Sequence, residues 1–305
     1  TAILDMRLYK LIGLEIDALM KEHEETMKNI AAYEDILNNY DSMAAVIMGE
    51  LDQIKKEYGS KRKTSIENAE EAVYEEKKME ETEVCFLMDR FGYAKTIDVG
   101  AYERNKEAAD TENRYILRCK NTDKICIFTD RGQMHLLKVL DLPYGKFRDK
   151  GTPIDNLSNY NSSEENLVYI APMADIRQKK LLFGTKTAML KLVSGAEFDV
   201  AKRTTAATKL NEGDMVLFVH PVAESDHIVM QSAKDMFLRI EAGTIPEKKK
   251  GAVGVRGMRL ASGDQLEAIY LLREEDEPVS VRIKDKEVVL NRLHVANRDT
   301  KGVKR

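Results

Sequence analysis

Two stretches of this sequence, EVCFLMDRFGYAKTI (residues 83–97) and KICIFTDRGQMHLL (residues 124–137), share one pattern and align residue for residue through an Asp-Arg turn. Each has a short apolar run, a polar turn and a second apolar run, which is typical of a buried β-hairpin. Weaker copies of the pattern follow at residues 180–192, 228–240 and 279–290. The sequence therefore predicts five hairpins at intervals of roughly 40 to 55 residues.

A second kind of apolar strand precedes each of the later hairpins, at residues 115–119, 167–171, 215–219 and 266–272. The repeat then contains about four strands, the size of a propeller blade. One blade cannot bury its faces alone, so the repeats are expected to pack around a common axis. We predict a mainly β fold for residues 83–305, a propeller-like β-pinwheel of about five four-stranded blades. A sandwich of two ordinary sheets is the alternative, which the shared hairpin disfavours.

Residues 1–62 have a helical pattern instead, with seam positions spaced by steps of three and four: Ile12, Ile16, Leu19, His23, Thr26, Ile30, Tyr33 and Leu37. Such spacing predicts a coiled-coil helix, although an amphipathic helix on a globular core would share it. Asp41 and Ser42 are expected to cap a second helix, which Gly59 would end in the left-handed conformation. Residues 63–82 are rich in charge and predict an acidic linker, or else a short solvated helix.

The composition of the chain, 305 residues with 43% hydrophobic and 33% charged, fits two folded domains. Residues 1–81 carry 11 Lys and Arg against 19 Asp and Glu, whereas residues 82–305 carry 37 against 33. Halves of opposite net charge often have different partners. No stretch approaches the roughly 20 apolar residues that cross a bilayer, and no secretory leader is recognised. Three cysteines without metal-ligand spacing fit buried thiols in a reducing compartment, so we expect a cytoplasmic protein that does not contact a membrane.

Nucleotide and metal sites are not predicted. Gly251, Gly254 and Gly257 fit a dinucleotide-binding loop only loosely, and neither a following helix nor an acidic ribose partner supports one. No phosphate-binding loop ending in Gly-Lys-Ser/Thr is present, and the five histidines have no metal-ligand spacing.

Several segments, taken in order, resemble one protein family. AILDMRLYKLIGLE (residues 2–15) is similar to the segment where the A subunits of DNA gyrase and topoisomerase IV enter their exit-gate dimerisation region. ELDQIKKEYGSKRKTSI (residues 50–66) is similar to the helix that returns from that gate. The repeats resemble the family's DNA-wrapping β-pinwheel, as do the segments at residues 151–157, 251–260 and 297–303. The chain thus resembles the C-terminal portion of a bacterial type IIA DNA topoisomerase A subunit, with exit-gate and coiled-coil helices in residues 1–62.

This resemblance implies that the complete subunit is part of an ATP-dependent type II topoisomerase, which breaks and rejoins DNA. The implied partners are duplex DNA, a second A subunit in a homodimer, and the ATPase B subunit in a heterotetramer, in a nucleoid-associated location. ATP and Mg²⁺ would act elsewhere, so no cofactor is expected in this chain. The family's nucleophilic tyrosine, which follows an arginine, is expected upstream. Tyr115 follows Arg114, but it begins an apolar strand where tyrosine is ordinary packing, so we predict no catalytic residue here.

Residues 99–110 (VGAYERNKEAAD) differ from the gyrase pattern. Gyrases carry a box rich in glutamine, arginine and glycine after the first hairpin, and it is implied to lock positive DNA wrapping. Because the box is missing, the chain is predicted to be topoisomerase IV-like. A gyrase A subunit with a degenerate box is one alternative. A protein-binding propeller with a helical oligomerisation stalk is another, from a different class.

Basic residues recur in the turns that join the predicted blades. Basic residues along a curved rim would neutralise DNA phosphates and release counterions, which favours the binding of duplex DNA. Such contacts do not depend on the base sequence. Scattered solubilising charge is the alternative for any single cluster. Residues 274–277 are acidic and should repel a phosphate backbone. We predict DNA contacts by Lys146, Arg148, Lys150, Lys202, Arg203, Lys209, Lys248, Lys249, Lys250, Arg256, Arg259, Arg298 and Lys301, with Lys304 and Arg305 beside the last cluster.

Overall fold

The computed structural model describes residues 13–64, 80–283 and 286–305. The chain forms two units, residues 1–77 and residues 78–305. Most of the segment predicted to enter the exit gate, residues 2–15, and most of the predicted linker, residues 63–82, lie outside the described residues.

In its described residues, 13–64, the first unit forms two helices, α1 (Gly13–Asn38) and α2 (Tyr40–Tyr58). They are separated at Asn39, whose backbone is extended and whose side chain accepts a hydrogen bond from the backbone N–H of Asp41. The expected cap at Asp41 and Ser42 is therefore wrong, because both residues already lie in the first turn of α2. Gly59 does end α2, but with φ −64° and ψ 124°, so the chain leaves in an extended and not a left-handed conformation.

The apolar side chains of these helices are largely exposed in the described structure. Leu19, Tyr33 and Leu37 on α1 each expose more than 60% of their surface, and Ile47, Leu51 and Ile54 on α2 expose about half. Contiguous apolar surface of this kind usually marks an interface. A coiled-coil partner for this surface stays a prediction.

In its described residues, the second unit contains four sheets of four antiparallel strands, which we call blades 1 to 4, and one two-stranded hairpin. Across each sheet, the strands of the first two blades are β3 (Asn113–Lys120), β1 (Glu83–Asp89), β2 (Tyr93–Asp98) and β6 (Thr152–Pro153) in blade 1, and β7 (Leu167–Pro172), β4 (Lys124–Thr129), β5 (Gln133–Lys138) and β10 (Thr204–Ala206) in blade 2. Those of the other two are β11 (Val216–Val222), β8 (Lys180–Thr185), β9 (Met189–Ser194) and β14 (Val255–Arg256) in blade 3, and β15 (Leu266–Leu272), β12 (His227–Ser232), β13 (Met236–Glu241) and β18 (Val303–Lys304) in blade 4.

Neighbouring blades are linked by exchange of a strand. The predicted hairpin forms the centre of each blade, and the longer apolar strand that follows it pairs on one side. The other side is closed by a strand of only two or three residues, which comes from beyond the next hairpin. The strands expected to precede each later hairpin in its own blade thus belong to the preceding blade.

The fifth predicted hairpin, β16 (Ser280–Ile283) and β17 (Lys286–Val289), forms a two-stranded sheet among the described residues. It packs on blade 4, where Val281 and Val288 meet the buried side chains of Val229 and Phe237. The mainly β, blade-based fold predicted from the sequence is confirmed. The expected number of about five four-stranded blades is corrected to four in the described part of the chain, because the last hairpin pairs with no further strand there.

Apolar clusters between successive blades form the core. Phe86 of blade 1 packs with Ile127 of blade 2, and Leu190 of blade 3 packs with Met230 of blade 4. Between blades 2 and 3, the Phe128 ring lies edge-on to Phe183, with centroids 5.8 Å apart. The central hairpins are nearly continuous apolar runs because both of their faces are covered.

Two short helices cover the free face of blade 1, α3 (Val99–Arg104) and α4 (Lys106–Glu112). The Asp98 side chain caps α3 by accepting a hydrogen bond from the N–H of Ala101 at 3.1 Å. Tyr102 and Ala109 are buried against Cys85 and Leu87 of β1. These helices follow the hairpin of blade 1 directly, whereas each of the other described hairpins is followed by a 3-10 turn. Two further single turns are α5 (Ile154–Leu157) and α6 (Met173–Ile176).

Candidate nucleic-acid interface

Four equivalent segments, which we call straps 1 to 4, carry the predicted DNA-binding residues. Each leaves the 3-10 turn after one hairpin, runs beside the second hairpin strand of the preceding blade and ends in that blade's fourth strand. By residue number they are 143–153, 199–206, 246–256 and 294–304. The predicted clusters therefore share one place in the repeat, although Lys209 and Arg259 lie just beyond the ends of straps 2 and 3.

Most of the predicted residues have exposed side chains. This group contains Lys146, Arg148, Lys150, Lys202, Arg203, Lys209, Lys249, Arg256, Arg259 and Lys301. Three of them face an acidic partner that phosphate would have to displace. Arg256 and Arg259 both lie 3.6 Å from the Asp299 carboxylate. Arg203 is 4.0 Å from Asp141. Exposed ion pairs of this kind are weak, so these arginines keep most of their freedom to bind an anion.

Three predicted residues are half-buried, and their side chains donate to backbone carbonyls. Lys248 Nζ donates to the carbonyl of Val253 at 3.3 Å, and Lys250 Nζ donates to the carbonyl of Glu197 at 2.8 Å. Arg298 Nη1 donates to the carbonyl of Arg256 at 3.0 Å. Of the Lys248–Lys250 run, only Lys249 presents an exposed side chain.

The straps are fixed against the blades by their backbones. In strap 1 the N–H of Gly145 donates to the carbonyl of Thr96 at 3.1 Å, and in strap 3 the N–H of Lys248 donates to the carbonyl of Leu192 at 2.8 Å. Strap 4 repeats the contact, since the N–H of Ala296 donates to the carbonyl of Arg239 at 2.9 Å.

Three glycines allow this close approach of the two backbones. A Cβ on Gly151 would lie 2.7 Å from the carbonyl oxygen of Ala94, and one on Gly254 would lie 2.7 Å from that of Leu190. A Cβ on Gly302 would lie 2.9 Å from the carbonyl oxygen of Phe237. The equivalent position in strap 2 is Thr204, which pairs with His135 as part of a longer strand.

Two lysines that the sequence patterns did not single out lie under the straps. Lys95 on β2 donates through Nζ to the carbonyls of Phe147 and Asp149 in strap 1. Lys191 on β9 donates to the carbonyls of Lys250 and Ala252 in strap 3. Burial lowers the pKa of Lys95, and it lowers the pKa of Lys191 to about 8. The signal in the sequence is a lysine within an otherwise apolar strand, such as MLKLV at residues 189–193.

The remaining residues weighed from the sequence have structural surroundings. Tyr115 lies half-buried on β3 in the core between blades 1 and 2, with the Arg114 guanidinium 5.1 Å from its ring centroid. Burial raises the pKa of its hydroxyl. Residues 274–277 form an exposed acidic loop before β16. His135 lies 2.7 Å from the buried Glu165 carboxylate in blade 2.

Within residues 13–64, 80–283 and 286–305, no cluster of three His, Cys, Asp or Glu side chains is arranged to hold a metal ion. No helix in the same ranges is long and apolar enough to cross a membrane.

Comparison with known proteins identifies the fold. The family described as the DNA gyrase C-terminal domain, β-propeller, matches residues 179–223 and 226–273, which hold most of blades 3 and 4. The second unit shares the β-propeller fold of these proteins.

Relatives of known name extend the likeness to the helices of the first unit. The DNA gyrase A protein of Lawsonia intracellularis is 28% identical over 323 residues, covering 99% of this chain and 39% of the relative. That of Clostridium acetobutylicum is 30% identical over 269 residues, covering 84% of this chain and 32% of the relative. The chain thus spans about two fifths or less of the length of these relatives.

Solved structures show the same pinwheel architecture. The C-terminal domain of DNA topoisomerase IV superposes with a TM-score of 0.66 and 22% identity, over 74% of this chain and 73% of that one. The E. coli ParC C-terminal domain superposes with a TM-score of 0.60 and 14% identity, over 73% of this chain and 94% of that one. At these identities the likeness concerns the fold.

Proposed function

We propose that the pinwheel binds duplex DNA along its straps and bends it. The observation that carries this proposal is the recurrence of exposed cations in equivalent straps of all four blades. Because the straps occupy equivalent places in successive blades, their positive charges would line one curved path, along which a DNA duplex could bind. The named relatives, gyrase A proteins, support the same reading.

Several straps must act together for bending to be favourable. Bending 20–30 bp by 40–90° costs on the order of 1–6 kcal/mol, which contacts at one strap do not offset. Each neutralised phosphate releases a condensed counterion, so separated cations such as Arg148, Lys202, Lys249 and Lys301 contribute cumulatively. Contacts of lysine and arginine with phosphates position the DNA and carry no sequence information. We therefore expect little sequence specificity.

The chain is then the DNA-handling part of a type II topoisomerase A subunit. The pinwheel presents a duplex segment for strand passage, and α1 and α2 contribute their exposed apolar face to pairing of two A subunits. ATP hydrolysis belongs to the B subunit of a heterotetramer, and strand cleavage to a tyrosine outside these residues. Cytoplasmic, nucleoid-associated location follows from that role.

We further propose a topoisomerase IV-like wrapping mode. In place of a basic, glycine-rich box after the first hairpin, this chain has α3 and α4, whose buried Tyr102 and Ala109 close the face of blade 1. Glu103, Glu107 and Glu112 lie exposed there and disfavour DNA on this face. The names of the relatives favour the second candidate, a gyrase without a working box. Supercoiling assays with the complete A and B subunits separate the two, because net negative supercoiling of relaxed plasmid contradicts the topoisomerase IV-like mode.

A gel-shift titration of the 305-residue chain with duplex DNA at low salt tests the binding itself. Retardation that is independent of sequence and weakens with salt supports the proposal. The absence of any complex at low salt would instead favour a protein-binding propeller with a helical oligomerisation stalk. Replacing Lys248, Lys249 and Lys250 together with glutamate should weaken binding, mainly through Lys249 and the reversed charges.

A further inference from the structure

Lys95 and Lys191 occupy the same position in blades 1 and 3 and contact the same two positions of their straps. Lys95 is paired across its hairpin with Leu87, and Lys191 with Phe183. Lys95 Nζ lies 2.5 Å from the carbonyl oxygen of Phe147 and 2.8 Å from that of Asp149. Lys191 Nζ lies 2.8 Å from the carbonyl oxygen of Lys250 and 2.9 Å from that of Ala252.

The two ammonium groups are bonded to backbone carbonyls and not to carboxylates. Lys191 is 1% exposed, and its Nζ also lies 3.3 Å from the carbonyl of Lys249 and 3.4 Å from that of Ala207. Each ammonium lies 5.4 Å from an aromatic ring centroid, Phe147 for Lys95 and Phe183 for Lys191. Neither forms a salt bridge within the described part of the chain. Burying a charge without an opposite charge opposes folding, so stability alone is a poor explanation for these lysines.

The carbonyls that the lysines contact belong to tight turns at the tips of the straps. In strap 1 the N–H of Asp149 donates to the carbonyl of Lys146 at 3.0 Å, and in strap 3 the N–H of Ala252 donates to that of Lys249 at 3.0 Å. The carbonyls of Phe147 and Asp149, on either side of Arg148, both accept from Lys95, and these bonds favour the observed conformation of the turn. The exposed cations at these tips, Lys146 and Arg148 in strap 1 and Lys249 in strap 3, are therefore presented from a fixed backbone.

We propose that Lys95 and Lys191 are positioning residues for DNA binding, which hold the basic turns of straps 1 and 3 from beneath. The proposal rests on the proposed DNA-binding function. It assigns the ordering of the basic turns to two residues beneath them, the half-buried Lys95 and the buried Lys191, which act without touching DNA. Pre-ordering a binding segment raises affinity because the segment loses less conformational entropy on binding.

Straps 2 and 4 are held differently and serve as internal comparisons. At the equivalent position blade 2 has His135, whose Nδ1 lies 3.1 Å from Thr204 Oγ1. Blade 4 has Leu238 there, and the neighbouring Arg239 donates to the carbonyl of Asn291 in the 3-10 turn before strap 4. Loss of a buried lysine should therefore disturb its own strap alone.

The test compares Lys191→Met with Lys179→Met in the 305-residue chain. Methionine has a side chain of similar length to lysine but no hydrogen-bond donor. Lys179 is an exposed lysine of the same blade, so its replacement is a control that removes the same positive charge. Amide hydrogen exchange in the absence of DNA should accelerate about tenfold in residues 246–252, including the N–H groups of Lys248 and Ala252, and stay unchanged in residues 145–150. The Lys179→Met variant should exchange like the wild type.

Duplex binding supplies the second readout. The Lys191→Met variant should bind about tenfold more weakly, a change of about 1.4 kcal/mol and close to re-ordering one residue's backbone. The slope of affinity against salt should be unchanged, because no phosphate contact is removed. Uniform acceleration of exchange across blade 3, or unchanged exchange and unchanged affinity, would overturn the positioning role.

Lys95→Met provides an independent variant if Lys191→Met does not fold. It should accelerate exchange in residues 145–150 and leave residues 246–252 unchanged; unchanged exchange in residues 145–150 would overturn the proposal. A third outcome is faster exchange in the strap of either variant, combined with wild-type protein that binds no duplex. This outcome would show that the lysines anchor the straps. It would contradict the proposed DNA binding and, with it, the positioning role.

Discussion

Replacing Lys146, Arg148 and Lys150 with glutamine should reduce both DNA affinity and its dependence on salt. All three side chains are exposed on strap 1, and none forms an ion pair within the described structure. They are therefore available to phosphate without displacing an acidic partner. Glutamine keeps a polar side chain at each position, so the fold of the strap should be preserved.

The magnitude follows from counterion release. Each lost phosphate contact reduces the slope of log affinity against log salt by about 0.9, so three contacts reduce it by about 2.7. Between 50 and 200 mM salt, the wild type should lose about 40-fold more affinity than the variant. Fluorescence anisotropy with a labelled duplex at four or five salt concentrations measures both slopes.

A matched control changes three exposed cations at the opposite edge of the same blade. Arg114, Arg118 and Lys120 lie on β3, whereas strap 1 runs to the other edge through β6. Replacing them with glutamine removes the same net charge and should leave the slope close to that of the wild type. An equal reduction in both variants would show that total charge, and not the strap, governs binding. An unchanged slope in the strap 1 variant would refute the assignment of its three cations.

Three further predictions concern the packing and charge of the same elements. Gly254→Ala should destabilise the pinwheel by about 1–3 kcal/mol, because the new Cβ would lie 2.7 Å from the Leu190 carbonyl oxygen. The control is Gly251→Ala, whose new Cβ has no atom within 4 Å and which should change the free energy of urea unfolding by less than about 1 kcal/mol. Phe128→Ala should cost about 3–5 kcal/mol, since the ring is fully buried between blades 2 and 3; a loss under 1 kcal/mol would contradict that packing. Because the pKa of Lys191 falls from 10.5 to about 8 on folding, the unfolded chain holds more protons between these values. The unfolding free energy of the wild type should therefore rise relative to Lys191→Met by up to about 3 kcal/mol from pH 8 to 10.5, and a falling difference would show that the lysine is not desolvated.

The central hairpins could be predicted from the sequence because their signal is local. The apolar runs on both sides of the turns at Asp89 and Asp130 specify two adjacent strands, and the structure pairs those strands as expected. The strand exchange could not be predicted in the same way. The closing strands, such as Thr152–Pro153 and Val255–Arg256, have two residues each, too few for any periodicity. Their partners are set by packing over more than 50 residues of chain.

Helices α3 and α4 were also missed. Residues 99–112 contain three glutamates, a lysine and four alanines or glycines that fit a solvated loop equally well. Their helical form depends on burying Tyr102 and Ala109 against β1, a tertiary contact. For the candidate interface, the spacing of basic residues pointed to the straps, whose role in DNA binding stays a prediction. It did not separate exposed Lys249 from Lys250, whose Nζ is bonded to the Glu197 carbonyl. Nor did it indicate that Lys191 supports them from below.

Bending of DNA by the pinwheel is tested most directly by energy transfer between dyes at the two ends of a duplex of about 20 bp, titrated with the 305-residue chain at low salt. A bend of 40–90° per 20–30 bp brings the ends together, so energy transfer should rise with protein and fall again as salt is added. The strap 1 variant should need more protein to reach the same transfer, and the β3 control should match the wild type. Saturating protein that binds the duplex without changing the transfer would contradict bending, and a duplex that stays unbound would contradict DNA binding by the straps.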